Sequence, residues 1–187
     1  MAQRALSAFD SCTIEERERG LDVWRWMSNW CREVSQEWSV TMRVCCGVMA
    51  ATSPNNSWRT NMNATISILG GQDDGVATYT RDVIKALWIL AGADPETVLA
   101  GPKTCSFYRL LYDSGNSWDV CVDGHIANLL KNELRPLTQS TLSRREFEQM
   151  AEAIREAARC VGWRPCDLQG ALWLAWRSSD GFRQGRL

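Results

Sequence analysis

Little in these 187 residues points to an exported or membrane-bound chain. No apolar run approaches the roughly 18 residues that a membrane helix requires, and no charged-then-apolar leader opens the sequence. Neither a membrane protein nor a secreted disulfide framework is therefore expected. Basic excess is lacking too: 21 Lys and Arg stand against 22 Asp and Glu, a formal net charge of -1. Domains that hold nucleic acid through bulk electrostatics usually carry a strong basic surplus, so any such contact here must be local. His125 is the one histidine, and none of the eight cysteines (Cys12, Cys31, Cys45, Cys46, Cys105, Cys121, Cys160 and Cys166) falls in a C-x-x-C pair. That leaves no zinc set, and reduced, mostly buried thiols in a cytosol are expected. Nor does any segment alternate with period two for long enough to build a sheet.

What is present is apolar residues at helical spacing. Hydrophobic residues make up 45% of the chain, and ten tryptophans outnumber four phenylalanines and three tyrosines, which favours helices packed through large flat side chains whose indole N-H needs a partner. The length fits one domain of the usual size. The fold expected is all-α, a single helical domain over residues 13–178 with two lobes allowed and about eight to ten helices. Residues 1–12 show no periodicity and read as a flexible N-terminus, and the polar stretch from Arg177, including 179–187, reads as a flexible tail.

Along the chain, Thr13 and Glu16 make a capping-box pair ahead of Ile14, Leu21, Trp24, Met27, Cys31, Val34 and Trp38, one face of a long helix. VTMRVCCGVMAAT is apolar on nearly every side, which suits a central buried helix ending at Ser53-Pro54. Trp58, Met62, Thr65, Ile66 and Leu69 mark the next face, and Val83, Ile84, Leu87, Trp88 and Leu90 another. Asp94-Pro95-Glu96 opens a short helix, with Asp as cap and Pro where its missing N-H costs nothing. Gly101-Pro102 reverses the chain before Phe107, Leu110 and Leu111 turn inward. Val120 to Val122 lead to a helix over 124–132, Ser143 and Glu146 cap another, and Leu168, Leu172, Trp173 and Trp176 mark the last.

Four stretches could carry chemistry, and each has an ordinary reading beside the functional one. The turn at Gly101, Pro102 and Lys103 opens a helix whose first N-H groups and positive dipole end suit a phosphate, or it is a plain helix-helix turn with a surface lysine. Asp123, Gly124 and His125 supply an acid/base pair, or an N-cap and a first-turn residue. In the polar stretch from Ser53 to Trp58, Asn55, Asn56 and Ser57 offer side-chain oxygens that can cap a helix, or the two asparagines read a base edge while Trp58 stacks on it. Cys105 and Cys121 lie close enough to these stretches to be weighed as nucleophiles beside their more ordinary core role.

With those residues in hand, the chain resembles the helix-hairpin-helix DNA glycosylase superfamily. LAGPKTCSFY is similar to its hairpin, and VCVDGHIANLL to the segment that carries its catalytic aspartate. Over roughly residues 40–133 the match puts Asp123 at the catalytic position and Gly101 and Lys103 in the hairpin. The iron-sulfur loop of some members is absent, so no cofactor or metal is implied. A closer resemblance, from Ser53 to Trp176, is to phage-encoded relatives that combine S-P-N-N-x-W, G-P-K-x-x-x-F-Y, V-D-G-H and a late L-Q-x-x-x-W, here Leu168, Gln169 and Trp173. Such relatives are linked to thymine hypermodification, and the resemblance implies an amino-acid or amine (glycine foremost):DNA transferase acting on phosphorylated 5-hydroxymethyluracil. It implies Asp123, His125 and Lys103 as catalytic, Ser53, Asn55, Asn56, Trp58 and Gln169 as substrate-binding, and Gly101, Pro102 and Lys103 at the DNA. The partners implied are double-stranded DNA with a modified base and an amine co-substrate, with a monomer working in the host cytoplasm. A DNA N-glycosylase that removes a modified or damaged base is the second reading.

Overall fold

The computed structural model describes residues 1–115, 118–137 and 141–178. Among them the chain is all-helical and without strands, with ten helices. In order these are α1 (Ala2–Asp10), α2 (Ile14–Glu37), α3 (Met42–Thr52), α4 (Trp58–Leu69), α5 (Thr80–Leu90), α6 (Pro95–Val98), α7 (Pro102–Tyr112), α8 (Gly124–Lys131), α9 (Arg144–Val161) and α10 (Pro165–Ser178). The chain divides into two compact units, Met1–Trp26 with Gly115–Leu187, and Met27–Ser114, so the two lobes allowed by the sequence are present.

The first unit is built on α1, α8, α9 and α10. The N-terminal segment expected to be flexible is a helix, because Ala5 and Phe9 are buried against this core and Phe9 meets Trp163 edge-on at 4.9 Å. Four residues later the expected capping box is in place: Glu16 N-H donates to Thr13 Oγ1 and Thr13 N-H to Glu16 Oε2. Ser143 and Glu146 form a second one at α9, whose far end closes on Gly162 in the left-handed conformation at φ 70°. Helices α2 and α10 meet backbone to backbone. A Cβ on Gly170 would lie 2.5 Å from Gly20 O, and one on Gly20 would lie 2.5 Å from Ala171 N. Helix α10 runs through Arg177 to Ser178, further than its polar end led us to expect; the remaining tail residues lie outside those described.

The second unit packs α4, α5 and α7 around α3, in which every residue from Cys45 to Thr52 is buried. Small residues permit this, since a Cβ on Gly47 would meet Pro95 at 2.7 Å and Ile89 at 2.9 Å. Two helices turn a different face inward from the one their largest apolar residues mark. Helix α4 buries Asn61, Ala64, Thr65, Ile68 and Leu69 while Ile66 is exposed, and α5 buries Asp82, Val83, Ala86 and Ile89 while Ile84 and Trp88 are exposed. The cause in α4 is polar: the Thr52 hydroxyl donates to Asn61 Oδ1 (2.8 Å) and Asn61 Nδ2 to the Met49 carbonyl (3.1 Å). A buried amide with its bonds made is cheap, and one left unmade is costly. Helix α5, packed on α3, buries Ala86 and Ile89 completely. Ile14, counted on the inner face of α2, is 77% exposed.

Candidate active site

Asp123 sits where an extended segment becomes a helix. Val120, Cys121 and Val122 are buried, Asp123 holds extended backbone angles, and α8 begins at Gly124. One carboxylate oxygen, Oδ1, accepts from the Ile126 N-H at 2.9 Å, the N-cap bond that local rules anticipate. The other, Oδ2, accepts from the Trp173 indole N-H at 3.0 Å, fifty positions along the chain. His125 is half-buried and stands edge-on to the Trp173 ring, with centroids 6.2 Å apart and planes at 88°. The guanidinium of Arg177 lies over the same ring at 4.3 Å from its centre.

Gln169 holds the approach to this carboxylate rather than presenting its amide to a substrate. Its Oε1 accepts from the Cys121 N-H (2.9 Å) and its Nε2 donates to the Cys121 carbonyl (2.8 Å), the pair of bonds a neighbouring strand would make. Both residues are buried. A carboxylate fixed at both oxygens, with lone pairs remaining on each, can take a proton from a nucleophile or stabilise positive charge beside it. An imidazole two residues on adds a second group that can exchange protons.

The other expected residues lie in the second unit. Helices α6 and α7 are joined through Leu99, Ala100 and Gly101, with Gly101 as the N-cap of α7, Pro102 in the first turn and Lys103 exposed beside it. Arg109 clamps the two helices through a two-pronged pair with Glu96 (3.1 and 2.7 Å), and this hydrogen bond lowers the Glu96 pKa from its ordinary value. Ser53 caps the end of α3 through its hydroxyl on Ala50 O. Asn55 takes up a left-handed backbone (φ 60°) and donates to the Tyr79 hydroxyl, while Asn56 Nδ2 donates to both Thr52 O (2.8 Å) and Ala77 O (2.7 Å). Ser57, not either asparagine, caps α4, and Trp58 packs its ring on Phe107 at 5.7 Å. These side chains tie the 72–79 loop to the end of α3. A shallow cleft of about 290 Å³ beside that loop is lined by Asp73, Asp74, Thr78, Val83, Ile84 and Leu87, and by none of the expected site residues.

The site residues therefore fall into two groups, Asp123, His125 and Gln169 in one unit and Ser53, Asn55, Asn56, Trp58, Gly101, Pro102 and Lys103 in the other. The structure adds Arg177 to the first and ties Trp173, already part of the late motif, to the Asp123 carboxylate. A signal for them was available: Gln169, Trp173 and Arg177 stand four apart and so share one face of a helix. Burial pushes Cys12 and Cys166 up to about 11, and the Cys31 thiol together with burial raises Cys45 as well. Cys121 is buried, and Cys105 donates its S-H to Leu99 O.

The chain belongs to DUF7178, a family of unknown function whose model matches residues 1–180. No curated protein and no solved structure matches it.

Proposed function

We propose that this protein is a phage-encoded, helix-hairpin-helix DNA glycosylase-like enzyme that works on duplex DNA in the host cytoplasm. In this reading it transfers an amino acid or amine onto phosphorylated 5-hydroxymethyluracil and so helps the DNA evade restriction. The observation that carries the reading is the Asp123 carboxylate at the start of α8, bound at both oxygens and flanked by His125. It is the arrangement that an acid/base step on an incoming amine needs.

The reaction balances without a cofactor. The uracil ring pushes electrons into the exocyclic C-O bond, which breaks and releases phosphate. The amine nitrogen then bonds to that carbon, and its surplus proton passes through Asp123 or His125 to solvent or to the departing phosphate. A flipped-out base gives the exocyclic carbon room to react. The hairpin of α6 and α7, with Lys103 at its mouth, supplies a contact to the DNA backbone through N-H groups and one cation. The near-zero net charge agrees with a contact that is local.

The test is a product analysis. Duplex DNA containing phosphomethyluracil is incubated with the protein and a pool of amino acids and polyamines, digested to nucleosides and weighed. A base that loses phosphate and gains the mass of an amine, glycine first among them, is the expected result. An abasic site would replace this reading with N-glycosylase action, and unchanged DNA across a broad panel of modified bases would overturn both.

A further inference from the structure

The structure assigns to Trp173 the part of a positioning residue for Asp123, with Gln169 setting the backbone on which that carboxylate stands. The inference rests on the proposed role of Asp123 and goes beyond it. An N-cap bond alone ties one carboxylate oxygen to the main chain and leaves the plane of the group free to turn. Here Oδ2 is fixed as well, by an N-H that comes from a different helix. The donor is itself flanked, with Arg177 over its face and His125 beside it at right angles. One turn earlier on α10, Gln169 spends its amide oxygen and amide nitrogen on Cys121, two residues before Asp123, in a buried pair of bonds. Gln169 and Trp173 thus grip the same short stretch of chain, Cys121 to Asp123, at two points, and both grips come from one face of one helix. Such an arrangement fixes where the unoccupied lone pairs of the carboxylate point, and orientation of this kind governs the rate of a proton transfer more than it governs binding.

The full-length protein, uniformly labelled with nitrogen-15, provides the test. Trp173→Phe keeps an aromatic ring and removes the N-H, so the indole resonance that disappears is that of Trp173; Trp173→Tyr serves if the first variant fails to fold. In Asp123→Ala, with Trp173 intact, this resonance is expected to move upfield. In the transfer assay, Trp173→Phe is expected to lower kcat roughly 10- to 100-fold with KM unchanged. Combined with Asp123→Asn it is expected to be no worse than Asp123→Asn alone, because the two act through one group. An indole resonance that stays in place in Asp123→Ala overturns the inference. So does a wild-type kcat in Trp173→Phe when Asp123→Asn is inactive. Full activity in Asp123→Asn is a different result: it overturns the catalytic reading of Asp123, and the positioning role falls with it.

Discussion

The two units use similar polar side chains in opposite ways. In the second, Asn55, Asn56, Ser57, Asn61 and Thr52 all bond to neighbouring backbone or side chains, and the product is a pinned loop and a rotated helix. In the first, Gln169 does the same for Cys121, but the chain it fixes ends in a carboxylate that is only half-buried. An amide that has spent its donor on main-chain carbonyls has finished its work in the fold. An ionisable group with both oxygens oriented and acceptor capacity left over has not. That difference separates a polar cluster that builds structure from one that can react, although the two are equally polar in sequence.

The comparison breaks most sharply at Asp123. Asp123→Asn keeps a competent N-cap and is expected to hold the melting temperature within a few degrees while lowering activity about 100- to 10,000-fold, measured by transfer assay and thermal denaturation. The close helix crossings come next. Gly170→Ala puts a Cβ onto Gly20 O, which is backbone and cannot swing aside, and is expected to cost about 3 kcal/mol in urea unfolding. Gly47→Ala meets side-chain atoms of Pro95 and Ile89 and should cost less, about 1–2 kcal/mol.

Asn56→Ala tests the structural half of the comparison. Losing its bonds to Thr52 O and Ala77 O is expected to cost about 1–2 kcal/mol and to speed proteolytic cleavage in the 72–79 loop. Smallest is the effect at Glu146, whose pKa is lowered to about 2 by the Ser143 backbone and side-chain hydrogen bonds and by Lys131. The folded-state value lies below the unfolded one, so the contribution is present above the ordinary glutamate range and fades as pH falls toward 2. Urea midpoints of wild type and Glu146→Gln should differ at pH 6 and converge near pH 2; a difference independent of pH would contradict this.

Much of the helix count and many of the ends could be read from local chemistry. Thr13 with Glu16, Ser143 with Glu146, Asp94 before Pro95, and Gly162 all act within one turn of chain, and they fall where their residue types place them. The inner faces of α4 and α5 were harder. Hydrophobic spacing favours Ile66, Ile84 and Trp88, yet α4 turns Asn61 inward to bond α3, and α5 buries Ala86 and Ile89. The helix at 2–10 was missed for a related reason, since Ala5 and Phe9 are its buried residues and the Trp163 ring that Phe9 meets lies more than a hundred residues away.

The sequence by itself determined the helical class, the caps, the helix start at Gly101 and the Asp123 N-cap, because each depends on bonds between residues within a few positions of one another. Only the tertiary structure decided that Asp123 is gripped at its second oxygen and that Gln169 belongs to the backbone of Cys121. Those contacts span about fifty residues, and a spacing of four in a late helix says which side chains share a face, not what that face will meet.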